Sequence, residues 1–331
     1  MYSFEEFCYY VEKNIGDYLP DLDIESVELK DITKNNGVIL KGLVISENDN
    51  TCVGTTVYLQ NFYEKFKIGR DLMEVVADIA DDYRKYRKRI GTIAKNEDSY
   101  ANPDLDMIVP RLVNYEKNKE LLMDCPYIRF QDLAITFRVV IYSDEKDVMS
   151  CIMKYPVFDN LNITVEDLYK KSLDNYERMF PPTLKSMAEM LRDLGKGLPP
   201  IPGREPQMYI LTNDKQINGA TSLLLNSVRD SFADNFTENI YILPSSVHEF
   251  IVLPESEVED ASILEEMVHE VNGTCLPNTD ILSETIYYYD LSERKISMVN
   301  PPESITKEKD ELIENEKVLD DMKFIPTEKV R

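Results

Sequence analysis

Tyr241-Ile-Leu-Pro-Ser-Ser-Val-His-Glu-Phe-Ile-Val-Leu-Pro254 places two short apolar runs on either side of a polar Pro-Ser-Ser turn. Runs joined this closely pair antiparallel, because a parallel pair needs a crossover of a dozen or more residues. Working outward, strands are expected at 208–212, 239–243 and 247–253, with helices at 223–233 and 257–271 and a closing strand pair at 285–289 and 295–299. No βαβ repetition emerges. The pattern is α+β, with helices packed on mostly antiparallel sheets in two α+β units.

The N-terminal side carries the same style. Ser3-Phe-Glu-Glu6 reads as a capping box, and Phe4, Phe7, Cys8, Val11 and Ile15 follow at helical spacing. Strands are expected at 24–33 and 38–45 around Asn36-Gly37, with a third at 55–59 and a long helix over 71–89. Further strands are expected at 107–113, 133–142 and 148–154, the last two joined through 143–146, and a short helix over 115–123. Thr164 should cap a helix over 165–179 that stops at Pro181-Pro182, before another short helix over 184–194. The densest Gly and Pro run spans 195–206. It suggests an N-terminal α+β domain over 1–194, a linker over 195–206, a C-terminal α+β domain over 207–300 and a charged tail over 301–331.

Charge narrows the function classes. The 331 residues hold 37 Lys and Arg against 61 Asp and Glu, a net charge of -24, which repels nucleic acid and anionic lipid. The basic run Arg84-Lys-Tyr-Arg-Lys-Arg89 is expected at the end of its helix, where cations complement the dipole. Five separated cysteines (Cys8, Cys52, Cys125, Cys151, Cys275) form no C-x-x-C pair and suit a reduced compartment. No basic-then-apolar leader and no run of membrane-spanning length is seen, so a cytoplasmic location is expected. The Asn-x-Thr sequons at Asn162, Asn235 and Asn272 would matter only in a secreted protein.

Ser245, Ser246, His248 and Glu249 hold the residue types of a hydrolase, in which a base takes the serine proton and an acid orients the base. The Gly-x-Ser-x-Gly elbow is absent, and the serines equally suit turn chemistry. Placed at the head of a strand, His248 would share a face with Phe250 and Val252, a structural position. Asn213, at a strand end, could touch a ligand. His269 and Glu265 share a helix face, but an acidic solvated surface explains them without a metal. Nucleotide-binding loops, zinc pairs and kinase signatures are missing, so no cofactor and no metal is expected.

The segments Lys34-Asn-Asn-Gly-Val-Ile-Leu-Lys-Gly-Leu43, Val113-Asn-Tyr-Glu-Lys-Asn118, Met208-Tyr-Ile-Leu-Thr-Asn213, Leu243-Pro-Ser-Ser-Val-His-Glu249 and Glu284-Thr-Ile-Tyr-Tyr-Tyr-Asp290 together resemble a domain-of-unknown-function family, family 5688, of gut Clostridia. The element order is also similar, more distantly, to another uncharacterised family of Firmicutes cytoplasmic proteins. The resemblance implies a bacterial, cytoplasmic protein and transfers no activity, catalytic residue or cofactor. The expected function is therefore a non-enzymatic binding or interaction protein with a protein partner. The alternatives are a hydrolase-like enzyme centred on Ser246 and His248, and an acidic decoy for a basic protein.

Overall fold

The computed structural model describes residues 2–48, 55–93, 100–144, 148–193 and 207–301. The chain divides into two compact units, Met1–Ala101 and Asn102–Arg331. Among the described residues the architecture is α+β: helices packed on three sheets in which every pairing is antiparallel.

The first unit runs α1 (Phe4–Asn14), β1 (Ile24–Thr33), β2 (Ile39–Glu47), β3 (Thr55–Tyr58), α2 (Gln60–Lys67) and α3 (Leu72–Ile93). The capping box forms as expected: Ser3 Oγ accepts from Glu6 N at 3.2 Å and Glu6 Oε2 accepts from Ser3 N at 2.8 Å. The β1–β2 turn is built on Asn36 and Gly37, both with positive φ (60° and 68°). Phe7, Val11 and Ile15 meet Leu43, Ile45 and Val57 and the α3 residues Val75, Ile79 and Tyr83 in one buried cluster. The basic run does not close its helix. Residues 84–88 lie inside α3, where Arg84 pairs with Asp21 at 2.8 Å, Lys85 with Asp82 at 2.9 Å and Arg87 with Glu47.

The second unit opens with a four-stranded sheet of β4 (Ile108–Asn114), β5 (Tyr127–Phe130), β6 (Leu133–Ser143) and β7 (Val148–Ile152), interrupted by α4 (Lys119–Leu122). Next come α5 (Tyr155–Asn160) and α6 (Val165–Met179), the latter capped by Thr164 as expected. The segment after Pro181 is not wholly helical. It forms β8 (Pro182–Ser186) before α7 (Met187–Asp193), because Pro182 starts an outermost strand where its missing N–H breaks no ladder.

After β9 (Tyr209–Asn213) come α8 (Asn226–Asn235), β10 (Ile240–Ser246), β11 (Glu249–Pro254), α9 (Ala261–Thr274), β12 (Tyr287–Asp290) and β13 (Lys295–Met298). The order β13-β12-β10-β11-β9-β8 makes the opening hairpin the centre of a six-stranded sheet. Phe250, Val252, Ile242, Tyr287 and Tyr289 are buried, with Phe232 of α8 edge-on to Tyr289 at 5.3 Å. Leu264 and Val268 of α9 pack with Leu243, Leu253 and Ile286. The domain cut expected at 195–206 is thereby revised. Those residues and the tail 302–331 lie outside the described residues, but β8 and β9, on either side of the cut, pair in one sheet. The chain divides at 101/102 instead.

Asp132, in the β5–β6 turn, ties the two sheets of this unit together. It is 7% exposed, and its carboxylate accepts from Tyr287 OH at 2.6 Å and from Ser283 Oγ at 2.5 Å. Burial holds this carboxyl above the usual carboxylate range, against the lowering effect of the two hydroxyls and of Arg129. The native state thus binds the proton more tightly than the unfolded chain. Stability from this group is complete below the ordinary carboxylate value of about 4 and is lost as pH rises through the raised native value. Urea midpoints measured upward from about pH 4 should decline over that window, and Asp132→Asn should flatten the decline.

Candidate functional site

The 3₁₀ turn Gly219–Leu224 is wedged between β9 and the β10–β11 turn, and it positions most of the candidate residues. Glycine is required at its start: an added Cβ would lie 2.1 Å from Thr212 Oγ1, 2.5 Å from the His248 carbonyl and 2.8 Å from Asn213 N. Two of those neighbours are backbone atoms and cannot rotate aside. Ala220 N–H donates to Val247 O at 3.3 Å, Ser222 Oγ to Thr212 O at 3.0 Å, and Thr221 Oγ1 accepts from Leu112 N of β4 at 3.2 Å.

His248 does not head a strand. It belongs to the two-residue turn 247–248, with β11 starting at Glu249, and its side chain is 38% exposed rather than buried beside Phe250 and Val252. The earlier expectation fails because the β10–β11 register shifts between Pro244 and Ser246, so simple alternation does not run through the turn. Asn218, itself left-handed at φ 51°, donates its backbone N–H to His248 Nδ1 at 3.1 Å. That bond puts the proton of the neutral ring on Nε2, which faces Asp280 Oδ2 at 3.9 Å.

The serines are occupied locally. Ser246 Oγ accepts from His248 N at 3.0 Å, and Ser245 Oγ donates to Glu249 Oε1 at 3.2 Å. Ser245 and Ser246 end β10 where a Pro-Ser-Ser turn was expected, His248 lies in the turn and Glu249 opens β11, so the four share one hairpin end, yet among the described residues no serine hydroxyl is hydrogen-bonded to an imidazole nitrogen. The arrangement fixes a turn and does not assemble a nucleophile with its base.

Asn213 is 1% exposed and fully engaged. Its Nδ2 donates to Tyr176 OH at 3.0 Å and Ile217 O at 2.9 Å, and its Oδ1 accepts from Lys215 N at 3.1 Å and Ile217 N at 3.3 Å. Tyr176 OH donates onward to Asn218 O at 3.2 Å, and burial pushes its phenol up to about 12, so it stays a neutral donor. Asn213 is a bracket for the 214–218 loop that carries Asn218 to His248. Sequence reasoning assigned Tyr176 no hydroxyl role within its helix and passed over Asp280, which sits in a Pro-Asn-Thr-Asp loop resembling any other turn.

The remaining candidates separate. His269 Nδ1 lies 3.5 Å from Glu284 Oε2, whereas Glu265 accepts from Asn300 Nδ2 at 3.0 Å. Among the described residues no group of three or more His, Cys, Asp or Glu is placed to hold a metal ion, and no helix is long and apolar enough to cross a membrane. Cys8 and Cys125 are buried, which pushes their thiols up to about 11 and about 12 and keeps them protonated.

A family described as of unknown function, DUF5688, matches residues 4–291. The chain belongs to that family. No curated protein and no solved structure matches it. The DUF5688 match starts with α1 and ends one residue beyond β12, so it takes in both compact units and the whole Asn213–His248 assembly.

Removing the Asn213 bracket strands several buried partners at once. Asn213→Ala should cost about 2–3 kcal/mol in urea unfolding, whereas Glu249→Ala, on the open side of the turn, should cost well under half of that.

Proposed function

We propose that this DUF5688 chain is a non-enzymatic binding protein of the bacterial cytoplasm, and that a protein partner docks on α9. The observation that carries the reading is a row of exposed apolar side chains one helical turn apart: Ile263 is 54% exposed, Met267 48% and Val271 38%. Large apolar groups at i, i+4 and i+8 that the chain leaves in water form a helix-in-groove type of surface. Glu266 and Glu270 run exposed along the side of this row, so charge complementarity selects a basic amphipathic helix as the occupant. The separate, unpaired thiols of Cys8, Cys125, Cys151 and Cys275 suit a reducing compartment.

The net charge of -24 supports a second reading, a decoy that occupies a basic protein by charge alone. A hydrolase on Ser246 and His248 gains little support, since the imidazole would have to leave Asn218 before it could serve either hydroxyl. The two binding readings separate on whether the apolar row matters. In fluorescence anisotropy with a labelled peptide bearing Leu at i, i+3, i+4 and i+7 and Lys on the flanks, wild type should prefer it to a scrambled peptide of equal composition. Met267→Glu should weaken that binding by about tenfold or more. Equal, salt-sensitive binding of both peptides that Met267→Glu leaves unchanged would favour the decoy.

A further inference from the structure

Arg111 is the one charge in the run Ile108-Val-Pro-Arg-Leu-Val113, at the middle of β4. The β4–β6 register pairs Arg111 with Thr136 and Val109 with Arg138, so the two arginines are diagonal neighbours on the same sheet face. Their surroundings differ. Arg138 Nε donates to Ser150 Oγ at 2.9 Å and its Nη2 to Ser150 O at 2.7 Å. The Arg111 carbonyl accepts from Thr136 Oγ1 at 3.2 Å, but its half-buried side chain makes no hydrogen bond or ion pair with any described residue, and its Nε is sealed from solvent without an acceptor.

The nearest compensating charge is incomplete. Asp280 attracts Arg111 electrostatically but stays outside ion-pair distance. Its carboxylate is already shared, Oδ1 accepting from Thr279 Oγ1 at 3.0 Å while Oδ2 faces His248 Nε2 at 3.9 Å. Burial first, and the charge of Arg138 second, lower the Arg111 guanidinium to about 9, as expected of a cation short of a counter-charge. Guanidinium presents its donors in a planar fork suited to carboxylate and phosphate, and an unmet buried donor is costly.

The frame around this cation is held from three sides. Thr221 anchors the outer edge of β4 beside Arg111 through Leu112 N at 3.2 Å, Ala220 N holds Val247 O at 3.3 Å, and Val247 N holds Asp280 O at 2.8 Å. The His248 and Asp280 side chains are 38% and 32% exposed, which leaves this side open to solvent.

We propose that Arg111 anchors a binding site for a small oxyanion, a carboxylate or a phosphate, flanked by Arg138 on the sheet face and by His248 and Asp280 on the loop side. The ligand supplies the acceptor that the chain does not. The site shares no residue with the α9 surface, so either can fail without the other.

The test uses the full chain, with inorganic phosphate and succinate as separate probes in thermal unfolding and calorimetric titration at constant ionic strength. At least one should give a saturable response, and which one does so identifies the phosphate or carboxylate source. Arg111→Met should weaken that response at least tenfold. Because the variant could disturb β4, phenylglyoxal labelling of wild type provides the second readout: the active anion should slow modification of Arg111 several-fold while leaving the exposed Arg192 unchanged. The proposal is overturned if neither anion gives a saturable response, or if a response persists in Arg111→Met and leaves Arg111 labelling in wild type unprotected.

Discussion

The second unit depends on the close approach of a single backbone position, Gly219, to β9 and to the turn that carries His248. With Thr212 Oγ1, the His248 carbonyl and Asn213 N all inside the space a Cβ would fill, only glycine lets the 219–224 turn enter. Once inside, that turn bonds outward in both directions, to β9 and the β10–β11 turn of the six-stranded sheet and to β4 of the four-stranded one. The two sheets are thus joined through a short segment of 3₁₀ structure whose buried backbone must find partners. Tyr176 and Asn213 complete the same join from α6 and from the end of β9.

Buried charge is treated in two ways within this unit. Asp132 is enclosed but saturated, accepting from the hydroxyls of Tyr287 in β12 and of Ser283 just before that strand, and so serves as a structural clamp. Arg111 is half-buried and unsaturated, its Nε sealed without an acceptor, in a chain with an excess of carboxylates that could have been placed against it. A protein with 61 acidic side chains has no shortage of counter-ions for a purely structural arginine. At the surface the opposite holds: Arg84, Lys85 and Arg87 of α3 are each matched to a nearby carboxylate.

How much of this was legible follows from where each signal resides. Local chemistry was readable: the Ser3 capping box, the Thr164 cap and the Asn36-Gly37 turn all form because their partners lie within a few residues. The strand β5 was missed because its turn to β6 is built on Gln131 at φ 54°, with no glycine or asparagine to mark it. The helix α2 was missed because it starts two residues after β3 and is only 8 residues long. The hairpin was located, but its turn lies at 247–248 and not at 244–246, which stays in β10, and its chemistry was missed because the partner that occupies His248 Nδ1 is a backbone amide 30 residues away. No side-chain motif encodes a bond of that kind. Arg111 could have been flagged as a cation inside an apolar strand, although its lack of a partner is a three-dimensional fact.

The most direct measurement is hydrogen exchange with mass spectrometry on full-length wild type and Gly219→Ala. If the 219 position joins the two sheets, exchange should accelerate together in segments 108–114, 209–213 and 246–250, with segments of the first unit unchanged. Acceleration confined to 217–222, with β4 and the His248 turn still protected, would contradict the account.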